Sequence, residues 1–144
     1  MRGFNTSLEE AAIANTKFRK VLYTSPHSQL VLMSIDPGSE IGLETHMGND
    51  QFVNVVRGYG TCVIDDHRYE LKDGTAFVVP RGARHNVVNL SQTKALKLYT
   101  IYSPPHHKDG IERATKKEAE EHEEEYDGIT TEGDMSVNGR MSLV

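Results

Sequence analysis

Glu44 and His46 stand two residues apart in the run EIGLETH, residues 40–46. In an extended strand such a pair projects from one face, about 7 Å apart along the chain. Gln51 follows across the turn Gly48-Asn49-Asp50, close enough in a hairpin to face them. His85 comes just after the turn Pro80-Arg81-Gly82, so a different strand would deliver it to the same concavity. The four together offer one carboxylate, two imidazoles and one amide oxygen to the interior of a barrel. That donor set suits Fe, Mn, Co, Ni or Zn, and its two-His-one-carboxylate part matches mononuclear Fe(II) sites with open positions. The other reading of the same residues is a metal-free barrel whose buried polar groups bond to one another. Glu44 weighs against it, because an unpaired buried carboxylate is costly. Of the remaining histidines, His106 and His107 follow Pro104-Pro105 and read as an exposed loop, while His27, His67 and His122 join no constellation.

The elements that must position these groups are β-strands. From about residue 18 to 102, β-branched runs alternate with turn signals such as Pro37-Gly38, Gly58-Tyr59-Gly60, Asp65-Asp66 and Asp73-Gly74. Turns at roughly 6–12-residue intervals are those of an antiparallel sandwich or barrel. The runs QLVLMSI, EIGLETH, QFVNVVR, GTCVI, RYEL, AFVV, NVVNL and ALKLYTIY read as its strands. No helical stretch interrupts them, which excludes a parallel α/β sheet. Before them, Ser7–Asn15 predicts a short helix with Ser7 as N-cap and Leu8, Ala11 and Ala12 on one face. After them, Thr115–Tyr126 (TKKEAEEHEEEY) predicts a solvated acidic helix capped by Thr115. Residues 127–144 lack periodicity and are expected to be mobile or ordered only against a partner. The organisation is thus an N-terminal helical segment (1–17), a barrel (18–103) and a C-terminal extension (104–144).

Composition narrows the function classes. The 144 residues carry a net charge of −5, 37% hydrophobic and 26% charged residues, values of a globular chain. The charge is uneven: residues 1–110 hold 12 Lys and Arg against 11 Asp and Glu, residues 111–144 hold 4 against 10. A near-neutral body with an acidic extension is no nucleic-acid surface. No apolar run is long enough for a membrane helix, and the first twenty residues have no secretory h-region, so a cytoplasmic address is expected. Cys62 stands alone and forms no internal disulfide or Cys-based zinc cluster; in a strand it reads as a small buried hydrophobe. P-loop, GxGxxG, GxSxG and HExxH motifs are absent.

The stretch Gly74-TAFVV-Pro80-Arg81-Gly82-AR-His85-NVV-Asn89 matches G-x5-P-x-G-x2-H-x3-N, the second cupin motif, at every fixed position. The earlier stretch PGSEIGLETHMGNDQFVNVVRGYG resembles the first cupin motif, with Glu44 at the first His position, His46 at the second, Gln51 at the Glu position and Gly58 one residue late. The resemblance, over about 31–102, implies an all-β fold: the cupin double-stranded β-helix, a jelly-roll-like barrel. It implies one divalent metal ion per chain (Fe, Mn, Ni, Co or Zn) on Glu44, His46, Gln51 and His85. Gln51 departs from the usual Glu, and Glu44 restores the negative charge elsewhere. In the second motif Gly82 permits the backbone twist that aims His85 inward, and Asn89 reads as a turn or cap residue.

Two further positions are candidates for catalysis. Arg57 shares the parity of Gln51, Val53 and Val55 and could hold an anionic substrate, a strand-end surface position being its other reading. Tyr102, and with it Tyr99, could supply a phenol from the last strand. The reading of function is a metal-dependent enzyme of isomerase or lyase type on a small polar sugar acid or keto acid, or an Fe-dependent dioxygenase. The alternative is a non-catalytic cupin that binds a small molecule. QLVLMSI is apolar on both faces, as at an interface, and predicts a homodimer.

Overall fold

The computed structural model describes residues 1–133 and places twelve elements in chain order. They are α1 (Leu8–Ala14), β1 (Arg19–Thr24), β2 (Gln29–Ile35), β3 (Glu44–Thr45), β4 (Asp50–Arg57), β5 (Gly60–Ile64) and β6 (His67–Leu71), followed by β7 (Ala76–Val79), β8 (Arg84–Asn89), β9 (Leu96–Ser103), β10 (Glu112–Arg113) and α2 (Lys116–Glu121). Two antiparallel sheets face each other, one ordered β10-β1-β2-β9-β4-β7 and the other β3-β8-β5-β6. This is the jelly-roll sandwich expected of the strand pattern. None of the described helices is long and apolar enough to cross a membrane.

Period-two alternation sets which residues face inward. On β9, Leu96, Leu98, Thr100 and Tyr102 are buried and the residues between them are only partly so. On β4, Gln51, Val53 and Val55 are buried, and on β8 His85, Val87 and Asn89. The apolar members join Val31, Met33, Ile35, Cys62 and Leu71 in one core between the sheets. Each such side chain contributes roughly 1.5–3 kcal/mol when fully buried. Polar residues of the same parity, Gln51, His85, Thr100 and Tyr102, crowd one end of this core.

Gly60 is required where β5 meets β8, because a Cβ there would lie 2.1 Å from the Val88 carbonyl oxygen. Asn89 pins the adjoining turn: its Nδ2 donates to the carbonyls of Ile35, Asp36 and Lys94, and its Oδ1 accepts from Ser91 N. It is a turn residue, as expected.

Several expectations need correction. β1 and β10 were absent from the predicted strands, and EIGLETH contributes only Glu44–Thr45 plus an isolated bridge from Glu40 to Val88. α1 forms as expected but without a side-chain bond from its cap Ser7. It packs across β2, β4 and β9, burying Ala12. That helix lies against β2 from within the same chain.

The acidic helix is also shorter than predicted. Thr115 caps it, accepting from Glu118 N at 3.1 Å, but α2 ends at Glu121. Continuing it would stack Glu124 on Glu120 and Glu125 on Glu121 at the negative end of a helix with no basic residue in its last turn. Residues 123–126 instead run back alongside 106–108, with Lys108 N donating to Glu124 O and Tyr126 N to His106 O. The next stretch is tied to β1 by Thr131 N to Thr24 O at 2.9 Å and by a Tyr23–Glu132 contact. Only 134–144 of the segment expected to be mobile lies outside the described residues.

Candidate metal centre

β3 pairs with β8 so that Glu44 lies opposite His85. His46 follows β3 and is fixed by its backbone: its carbonyl accepts from Gly82 N at 2.9 Å. Gly82 has φ +87, the left-handed conformation that lets the Pro80–Gly82 turn reach His46 and send β8 inward. Glu44, His46 and His85 thereby bring one donor atom each to within 4.8 Å of one another. Two ligands at about 2.1 Å from one ion lie at most about 4.2 Å apart, so only a small contraction closes the set on an ion.

Hydrogen bonding leaves the right atoms free. His85 Nδ1 faces the Ala83 carbonyl at 3.0 Å; donating there, it keeps the Nε2 lone pair available. His46 Nε2 is 3.0 Å from Glu44 Oε2, yet the contact is not aligned as a hydrogen bond. Gln51 Nε2 donates to Thr100 Oγ1 at 3.0 Å and Tyr102 Oη at 3.3 Å, which orients the amide. Its Oε1 is buried with no partner among the described residues. Buried polar atoms are rarely orphaned, and a cation would satisfy an amide oxygen whose side chain lines the same inner space as Glu44 and His85. The residues fit a divalent ion.

The charges agree. Burial pushes the Glu44 carboxyl up, but the His46 contact, with Arg19 and His85 nearby, outweighs it and holds the group below its ordinary range. His85 is lowered, chiefly by burial, and so presents a neutral imidazole.

Above this set lies a cleft of about 290 Å³, floored by Glu44, His46 and Arg19 and walled by His106, His107 and Glu123–Glu125. Beneath it an inner space of about 10 Å³, one water's worth, reaches Gln51, His85 and Tyr102. The His106 ring stands 4.3 Å from His46 and 5.3 Å from Tyr102, centroid to centroid. Burial, reinforced by His46, takes His106 down to about 4. His107 is lowered further, by burial and then by Arg19. The Tyr102 phenol is held well above its ordinary value by burial. At neutral pH the two histidines of the wall are therefore neutral donors and acceptors beside the carboxylates of Glu123–Glu125.

Residues 31–102 match the family described as the cupin domain. The chain belongs to the cupin family. Among curated relatives, an uncharacterized protein of Acanthamoeba polyphaga mimivirus is 40% identical over 107 residues, 72% of this chain and 67% of its own length. The uncharacterized protein YrkC of Bacillus subtilis is 39% identical over 122 residues, 81% of this chain. The cupin spans only 65% of YrkC. Among solved structures, the crystal structure of BH2720 from Bacillus halodurans is similar at TM-score 0.82 and 38% identity, covering 84% of this chain and 96% of that one.

The cupin fold brings Glu44, His46 and His85 together, with Gln51 and Tyr102 lining the inner space beside Glu44 and His85. Arg57 is not brought in. It is exposed, beyond a register shift after Val55 that breaks the alternation, and it occupies the end of β4 away from Gln51. Tyr99 points outward and packs on Phe52 at 6.4 Å. Cys62 is buried, and burial pushes its thiol up to about 11.

His106 and His107 are not an exposed loop but part of the site. Asn49 Nδ2 holds the preceding carbonyls of Pro104 and Pro105 at 2.5 and 3.0 Å, and Gln29 holds His106 and His107. Arg19, also missed, lies on the unpredicted β1. The alternation Arg19, Val21, Tyr23 was the available signal, masked by the adjacent Lys20 and by a bulge between Val21 and Tyr23.

Proposed function

We propose that this cupin is a metal-dependent enzyme of isomerase or lyase type, acting on a small, oxygen-rich acid. The observation that carries the reading is the sealed Gln51 Oε1, without a partner among the described residues, in a side chain that lines the same inner space as Glu44 and His85 of the Glu44–His46–His85 cluster. Glu44, His46 and His85 would hold the ion and Gln51 would complete the set, its amide fixed by Thr100 and Tyr102. A bound divalent ion supplies Lewis acidity toward a carbonyl or vicinal oxygens and acidifies the adjacent C–H.

The chain's own groups do the rest. His106, neutral and at the cleft wall, is placed to accept a proton from a substrate carbon or hydroxyl. Tyr102 stays protonated and offers its O–H to a substrate oxygen or to Gln51. The 290 Å³ cleft has room for a molecule of a few carbons.

The test is reconstitution with Fe, Mn, Co, Ni or Zn, then incubation with a panel of keto acids and sugar acids in D2O. Loading of one ion per chain and deuterium uptake next to a carbonyl support the reading. Failure of every metal to bind overturns it, and loading without exchange on any acid leaves a binding module. A second reading, an Fe(II) dioxygenase, is favoured by the two-His-one-carboxylate set of Glu44, His46 and His85. Oxygen consumption by the Fe-loaded protein separates the two.

A further inference from the structure

Arg19 is 9% exposed, yet among the described residues no carboxylate lies within salt-bridge distance of its guanidinium. Its Nε is sealed from solvent and without an acceptor. The side chain borders both the inner space beside Gln51 and the outer cleft beside His106. Its guanidinium carbon sits 5.4 Å from the centre of the Phe18 ring, an apolar support that cannot replace a counter-ion. A buried guanidinium lacking a partner is an expensive arrangement in a protein at rest.

Glu44, whose carboxyl Arg19 helps to hold down, lies beyond salt-bridge distance and contacts His46, and the acidic segment 123–125 does not pair with Arg19 either. Glu124 is engaged by Lys108 at 3.7 Å and Arg113 at 3.9 Å. Arg113 is the register partner of Arg19 on β10, and its Nε also donates to the His122 carbonyl. The neighbouring strand thus turns its own arginine to the acidic strap and leaves Arg19 for the cleft.

We propose that Arg19 is the recognition group for a substrate carboxylate, seating it at the cleft floor so that the oxygens on the next carbon reach the Glu44–His46–His85 cluster. The inference rests on the metal reading and names its substrate class: 2-hydroxy or 2-keto acids. The guanidinium fork matches the two oxygens of a carboxylate, and a divalent ion held by one carboxylate beside it leaves the floor positive. One feature favours a carboxylate over a phosphoryl group: the rim Glu123–Glu125 repels a dianion more than a monoanion.

The experiment uses the zinc-loaded protein, with glycolate, neutral ethylene glycol and inorganic phosphate as probes. Glycolate should shift the Arg19 Nε–H resonance, assigned through bonds in the labelled parent, and bind at least tenfold more tightly than ethylene glycol or phosphate. Arg19→Lys should weaken glycolate at least tenfold and Arg19→Met a hundredfold, with zinc affinity within a few-fold of the parent. An unmoved Arg19 Nε–H at saturating glycolate, undiminished glycolate binding in a folded variant, or preference for phosphate overturns the proposal. If the parent takes up none of Fe, Mn, Co, Ni or Zn, the metal reading falls separately. The carboxylate subsite is then decided by whether acetate moves the same resonance in the metal-free protein.

Discussion

Gln29 and His107 are joined by a two-way amide clamp: Gln29 Nε2 donates to the His107 carbonyl at 2.7 Å, and His107 N donates to Gln29 Oε1 at 2.9 Å. The same Oε1 accepts from His106 N, and Nε2 also reaches Thr24 Oγ1. One side chain at the start of β2 thus replaces the strand pairing that residues 106–107 lack on that side. It is the reason two histidines after a pair of prolines stand over the site.

Replacing Gln29 by Leu keeps volume but leaves buried backbone groups of His106 and His107 unsatisfied. The expected loss is about 2–3 kcal/mol, seen as a melting temperature several degrees lower. Metal affinity should change little, because the loop carries none of the proposed ligands. Chemical denaturation and a metal titration of the variant check both outcomes.

The ligand positions should separate in order of donor strength. Glu44→Gln and His85→Ala should lose metal most severely, because they remove the site's formal charge and a good imidazole donor. Gln51→Ala should weaken binding least, as an amide oxygen is the poorest donor of the set. In the parent, free metal at a hundredfold excess over Kd should add about 2.7 kcal/mol of stability. Melts with and without Mn or Ni measure both quantities; three variants indistinguishable from the parent would reduce these residues to barrel lining.

Acid should destabilise the metal-free protein early. His106, His107 and His85 all have lowered values in the fold, His106 near 4, so below about 6.5 the unfolded chain binds protons first. Their neutral burial is fully favourable above that pH and becomes a growing penalty as pH falls toward the folded values. Melting temperature in the presence of chelator should therefore drop from pH 7 to 5, and His106→Gln should flatten the decline. A slope unchanged by that substitution would remove His106 from the account.

Gly60→Ala should cost about 3 kcal/mol, since the new Cβ meets the Val88 carbonyl where neither strand can give without breaking pairing. β8 also carries His85, so metal binding should weaken with stability. A urea midpoint equal to the parent's would mean that β5 and β8 separate more easily than their register suggests.

The sequence alone determined the sandwich and the gathering of Glu44, His46 and His85. Alternating runs such as LKLYTIY and the GTAFVVPRGARHNVVN motif encode which side chains face inward, because strand period and turn chemistry are local properties. Glu44 and His85 were legible for the same reason, while His46 lies past the end of β3 and is fixed by the Gly82 hydrogen bond to its carbonyl. Parity failed at Arg57, where a register shift after Val55 interrupts the alternation. Tertiary structure alone decided the upper half of the site. Arg19 reaches it because β1 pairs between β2 and β10, and His106–His107 because Gln29 and Asn49, far away in sequence, hold their backbone. The fate of the acidic segment was set the same way. Like-charge repulsion ends α2 at Glu121, and only the unpaired backbone of residues 106–108 turns 123–126 into the wall of a cleft.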